Sequence, residues 1–221
     1  MTKHLQRDLE SLEQDLLAQS AIVERMIYRA SQALRELRTD LIEQLANDED
    51  TVNLREVEIE EECLKILALH QPVAIDLRRV ATVLKINGDL ERIADLAVNI
   101  SERAQSLVLH PDFPFPDTLD QMVEISTSMV RDALDAFVQL DVDAAREVCR
   151  RDDAVDELNR KCIIDLYEYV SNHSDAFEPV FQFFSASRHI ERIADHATNI
   201  AEDVIYLVDG EIARHQDGIA M

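Results

Sequence analysis

Residues 90–102 read LERIADLAVNISE and residues 190–202 read IERIADHATNIAE, identical at nine of thirteen positions at an offset of 100. A repeated phrase of this length constrains the chain more than any other feature, because the structural unit that contains it has to be built twice. Earlier in each half DEDTVN (Asp48 to Asn53) matches RDDAVD (Arg151 to Asp156) at an offset of 103, and Asp40 falls opposite Asp143. A three-residue change in the intervening loop absorbs the difference between the two offsets.

The repeated units are helical. A sheet needs turn punctuation every ten residues or so, and 221 residues here contain only three glycines and five prolines. Ala, Leu, Glu, Asp and Arg dominate, the residues of long helices. Apolar residues from Leu5 to Leu45 recur three or four apart, which predicts one very long helix, bent near Thr39 and Asp40. NDEDTVN (Asn47 to Asn53) is expected to turn the chain, and a second helix then runs to about His70, where HQP breaks it and Pro72 marks a boundary or a first helical turn. A third helix is expected from about Ala74 to Val108. HPDFPFPD (His110 to Asp117) holds three of the prolines and forms the clearest boundary, with Asp117 placed to cap the next helix. Beyond it the spacing predicts helices over about 118–140, 154–171 and 178–208, with a bend and short helix in LDVDAAREVCRRDDAVD. The expectation is an all-α chain of two tandem, duplicated three-helix bundles, residues 1–109 and 110–221.

Charge excludes several functions. Forty-five acidic against 22 basic side chains give a formal charge of −23, which repels nucleic-acid phosphates and anionic lipid. Cys63, Cys149 and Cys162 are isolated, with no CxxC spacing, and read as free thiols in a reducing compartment. The amino terminus lacks the apolar core of a signal peptide and no apolar run is long enough for a membrane span. These readings place the protein in the cytoplasm, without nucleic-acid binding or membrane insertion.

The repeated phrase also carries chemistry. At about 100° per residue, Glu91, Asp95 and Glu102 fall within roughly 40° of one another, opposite Ile93, Ala97 and Ile100. Glu191, Asp195 and Glu202 repeat the arrangement against Ile193, Ala197 and Ile200. Like charges four apart destabilise a helix slightly, and a bound cation would offset this, since carboxylate oxygens are hard ligands for iron, manganese, magnesium or calcium. The middle helix of each unit offers further donors at the same i, i+4 spacing: Glu49 and Asn53 in the first half, Asp152 and Asp156 in the second. Spacing alone favours a solvated face, because in so acidic a chain pairs such as Glu56 with Glu60 arise by chance. Retention of Glu, Asp, Asn and Glu in two diverged copies brings a metal or other surface ligand level with that reading. Asn99 and Asn199 suit either a ligand carbonyl or an interhelical hydrogen bond.

Other residues attract attention for weaker reasons. His196 lies beside Asp195, but Leu96 occupies its place in the first copy, so it reads as structural. His189 is replaced by Asp89 in the first copy and no proline follows it, which argues against a phospho-accepting histidine. Phe177, Phe181, Phe183 and Phe184 read as core, filling the seam between units where the first half has Leu77, Val83 and Leu84. A di-iron bundle requires ExxH pairs, and none of the seven histidines has Glu three residues before it. Nucleophile elbows and phosphate-cradling loops need glycines this chain lacks, so no enzyme is expected.

Taken together, LERIADLAVNI, RHIERIADHATNIAEDVIYLVDGEIARH and VNLREVEIEEECLKILALHQPVAIDLRRV closely resemble the PhoU family of phosphate-transport accessory proteins, over essentially the whole chain. The resemblance implies two similar three-helix bundles, dimerisation, and surface metal held by E(D)xxxD motifs: an iron cluster, or divalent cations such as magnesium, manganese or zinc. That motif is met by Glu91/Asp95, Asp152/Asp156 and Glu191/Asp195, and departs at Glu49/Asn53. It further implies negative regulation of the phosphate-starvation response, connecting the transporter ATPase PstB to the sensor kinase PhoR. A cluster that itself binds or senses phosphate is the alternative.

Overall fold

The structure is a computed structural model and describes residues 3–210. Six long helices account for nearly all of them: α1 Lys3–Glu36, α2 Asp40–His70, α3 Ile75–Leu107, α4 Asp117–Gln139, α5 Val142–Asn172 and α6 Phe177–Asp209, the last preceded by a single 3-10 turn at Ser174–Ala176. In α1 the buried residues Leu5, Leu9, Leu12, Leu16, Val23, Met26, Ile27, Ala30 and Leu34 form the stripe that the sequence spacing requires.

The first turn lies elsewhere than NDEDTVN suggests. The chain reverses at residues 37–39, where Leu37 takes a positive φ of 54° and Arg38 N–H donates to Ala33 O at 3.0 Å; α2 then runs unbroken through Asn47 to Asn53. Packing overrides local preference there: Leu45, Val52 and Ile59 are buried, and Asp48, on the flank, pairs with Arg29 and Arg25 of α1. The second half behaves alike. α5 starts at Val142 with Asp141 as its cap, accepting from Ala144 N–H at 3.0 Å, and passes straight through RDDAVD because Val148 and Val155 are buried. No bend or short helix interrupts it. At the position equivalent to Arg29–Asp48 the charges are exchanged, with Arg151 donating to Asp132 at 2.7 Å.

Pro72 sits in the break between α2 and α3. Asp117 does not cap α4: it is the first helical residue, Pro116 holds the cap position, and no side chain caps the end. Asp117 and Asp120 instead set negative charge on the first turn. The linker before it is pinned by its aromatics, Phe113 and Phe115 lying with ring centroids 5.3 and 5.6 Å from Phe183.

Within each half the three helices pack on one another, and the halves meet chiefly along α3 and α6, with a smaller contact between α1 and α4. The α3–α6 seam is polar at intervals: His196 Nδ1 lies 2.9 Å from Asp89, Lys85 Nζ donates to Asp203 at 2.8 Å, and Arg78 Nε donates to Leu207 O at 3.0 Å. Arg35–Asp120 at 2.7 Å and Arg131–Glu24 at 3.1 Å bridge α1 and α4. Neither α2 nor α5 touches the other half among the described residues. The helices therefore form a layer in the order α2, α3, α6, α5, with α1 and α4 together beneath it.

Candidate functional site

The position of the repeated carboxylates follows from what surrounds α3. Arg79 meets Glu13 of α1, Asn87 Nδ2 donates to Glu56 O of α2 at 2.9 Å, and Asp89 meets His196 of α6. At about 100° per residue, these contacts cover α3 on the sides of α1, α2 and α6. The uncovered arc, on the face away from α1, is the one that carries Glu91, Asp95 and Glu102. The duplicated spacing gives α6 the same arc for Glu191, Asp195 and Glu202. Two grooves, α2/α3 and α5/α6, thus open on one face of the molecule.

The second groove gathers Asp152 and Asp156 of α5 with Glu191 and Asp195 of α6. Burial, then the charges of Asp195, Asp156, Asp153 and Glu191, push Asp152 up to about 6. Asp195 is raised by burial and by Asp156, against the opposing pull of His196, Arg188 and Arg192. Glu191 is raised by burial as well, despite the Arg188 guanidinium 2.6 Å away, and its Oε2 is buried without a hydrogen-bond partner among the described residues. Glu202 lies toward the end of the groove near Cys149, whose thiol burial pushes up to about 11, with Glu202 and Asp152 adding to it.

The first groove assembles differently. Glu49 is pushed up to about 7 by burial, by a hydrogen bond with Asp95, and by the charges of Asp95, Asp50 and Glu102. Glu91 is raised by burial, Asp95 and Glu56, and Glu56 by burial, Glu60 and Asp95. Glu102 is half exposed and paired with Arg103 at 3.2 Å. Asn53 is exposed, one turn from Glu49. Glu56, dismissed by spacing as half of a chance pair, is the acid that reaches this groove. The signal for it was present, since Glu56 is seven residues after Glu49 and so on the same side of α2. Its counterpart in the second half is Asn159, buried at 4% exposure. The first groove thus has its extra acid one turn later, where the second has Asp156.

Several neighbours prove structural. Asn99 Nδ2 donates to Asp95 O within its own helix at 2.8 Å rather than across to a neighbouring helix. His196 belongs to the α3–α6 seam through Asp89. His189 lies 3.3 Å from Ser185 Oγ, and burial, Arg103 and Arg192 hold its pKa down. Of the four phenylalanines read as core, only Phe183 is buried, at 3% exposure; Phe177, Phe181 and Phe184 are 67%, 51% and 38% exposed. They lie on the outward arc of α6, whereas Phe183 faces the linker.

Chemically, each groove is an array of hard oxygen donors whose repulsion is only partly relieved by arginine. Among the described residues no three His, Cys, Asp or Glu side chains converge closely enough to hold an ion as they stand. No described helix is long and apolar enough to cross a membrane.

Comparison with known proteins bears on both halves. The PhoU domain family matches residues 16–104 and again 119–204. The phosphate-specific transport system accessory protein PhoU homolog of Aquifex aeolicus is 38% identical over 210 residues, covering 95% of each chain. That of Clostridium acetobutylicum is 34% identical, covering 95% of this chain and 96% of its own. The crystal structure of PhoU from Pseudomonas aeruginosa, 36% identical, matches the fold with a TM-score of 0.88 over 93% of this chain and 99% of that one.

Proposed function

The chain belongs to the PhoU family, and on that premise we propose that it is an accessory protein of phosphate-specific transport, a negative regulator that links the transporter ATPase PstB to the sensor kinase PhoR. The observation that carries this reading is the end-to-end match, in both halves, to proteins described as accessory to that system. In this reading the chain performs no catalysis, works as a homodimer in the cytoplasm, and transmits the state of the transporter by contact. Pull-down from cell extract with the intact protein, at high and at low phosphate, tests it. Recovery of the transporter ATPase and the sensor kinase is expected; recovery of neither under both conditions would sink the reading.

The acidic grooves add a cation to the proposal. The second would be held by Asp152, Asp156, Glu191 and Asp195 with Glu202 at its margin; the first by Glu49, Glu91, Asp95 and Glu102 together with Glu56, while Asn53 stands aside. Iron or another hard divalent cation fits this donor set and would neutralise carboxylates that now repel one another. Such an ion, bound at the surface, supplies positive charge to which an anion can attach. This favours a second reading, metal-dependent phosphate binding, since bare acidic grooves exclude phosphate. Calorimetry with phosphate on metal-loaded and metal-free protein separates the two: heat only in the loaded state supports the second reading, and none in either leaves the adaptor alone.

A further inference from the structure

The second groove continues beyond its carboxylates. The arc of α6 that carries Glu191 and Asp195 carries, in the preceding turns, Phe184, Phe181 and Phe177, the last two stacked with ring centroids 6.4 Å apart. Since Asp152 and Asp156 of α5 lie with Asp195 and Glu191 of antiparallel α6, the register sets Tyr167, 70% exposed, level with Phe181. Four exposed rings therefore share one end of the groove and the acids share the other. Arg188 lies between them, engaged with Glu191. The first groove repeats the layout in smaller residues: exposed Leu77 stands where the second has Phe177, Leu84 replaces Phe184, and exposed Leu64 replaces Tyr167.

We propose that the α5/α6 groove, when its carboxylates hold no metal, is a docking surface for a basic amphipathic helix of a partner protein, with apolar side chains at one end over Phe177, Phe181, Phe184 and Tyr167, and Lys or Arg at the other over Glu191, Asp195, Asp152 and Asp156, so that a metal ion and the helix compete for the same acids. The proposal rests on the adaptor reading only in supposing that a protein partner exists. Phe177 to Asp195 spans about 27 Å at 1.5 Å per residue, so the occupant is a helix of about 18 residues laid along the groove. Charge selects it. Large exposed rings beside a strip of like charge need an occupant that covers the former and neutralises the latter. A second copy of this chain brings its own acids to the contact, and a net charge of −23 opposes an anionic membrane.

The test uses three labelled peptides of about 18 residues: leucines on one face of the first half and lysines on the same face of the second, the reverse of that sequence, and the same composition intermixed. Each is titrated against the intact protein in chelator-containing buffer and followed by fluorescence anisotropy. One of the two segregated peptides is expected to bind more tightly than the intermixed one. Its affinity should fall about tenfold or more in Phe177→Ser/Phe181→Ser and separately in Glu191→Gln/Asp195→Asn, and with added salt. Circular dichroism checks that the variants, all changed within α6, keep their helicity. No binding, equal binding of the intermixed peptide, or an affinity indifferent to Phe177→Ser/Phe181→Ser overturns the proposal. Binding to phosphatidylglycerol vesicles, or self-association, that the serine variant abolishes would overturn it in favour of a membrane or a second copy. The adaptor reading fails separately: peptides that bind as expected with no partner recovered from extract leave the surface standing, and partners recovered undiminished by the serine variant leave only the adaptor.

Discussion

Asp152 and Glu49 are acids whose protons the fold retains, and each supports a measurement. Burial and neighbouring carboxylates raise Asp152 to about 6 and Glu49 to about 7, so between their ordinary range and these values the folded protein holds more protons than the unfolded chain. Stability contributed by these two groups therefore falls as pH rises through that window. The urea midpoint is expected to be higher at pH 5 than at pH 8, and Asp152→Asn should narrow the gap by stabilising the protein at pH 8; a larger gap in that variant would contradict the account. Magnesium or manganese should recover stability at pH 8 by supplying the missing countercharge. In the same groove, Glu191→Ala/Asp195→Ala should strip the second site of metal in protein purified without chelator. Elemental analysis reads this directly, and unchanged metal content would remove these residues from the site. Glu191, Asp195 and their repeats were legible in the sequence because duplication marks them. Glu56 is marked only by its seven-residue spacing from Glu49, because its repeat equivalent Asn159 lacks the charge, and the packing of α2 on α3 is what brings it to Asp95.

At the scale of elements, α3, α4 and α6 fall within about a residue of the ends that apolar spacing predicts, whereas α2 and α5 begin well before theirs. In α2 a run of Asn, Asp and Thr, and in α5 a run of Arg and Asp, imitates a turn, and a buried valine, Val52 or Val155, keeps the helix going. The true first turn falls on Leu37 and Arg38, residues without turn chemistry. Its closure depends on left-handed backbone at Leu37 and on the packing of α1 against α2. The same device ends α2, where exposed Gln71 has φ 45°. Gln71→Gly removes that backbone cost without losing packing and should stabilise the protein by about 0.5–1 kcal/mol. Thermal or urea unfolding measures it, and destabilisation would show that Gln71 contributes more than its backbone conformation.

For the whole molecule the α3–α6 seam is decisive. Each of these helices is the centre of its own bundle and also the wall of the other, so neither half can lose its third helix without exposing the seam, including Asp203 and the Asp89–His196 pair. Unfolding should be a single transition, coincident by far-ultraviolet circular dichroism and tyrosine fluorescence. Two separated transitions would mean that the halves are energetically independent despite the contact. The seam also fixes the two grooves on one face, with their apolar and acidic ends running in opposite directions.

Periodicity along the chain is enough to establish that it is helical, that it is written twice, and which carboxylates share a side of each helix. Where α1 turns into α2, which acid joins the first groove, and that Phe177, Phe181 and Phe184 lie outside the core depend on how the helices pack. Burial is a property of neighbouring helices. Periodicity gives each helix its faces, but packing alone settles which face meets a neighbour and which meets water.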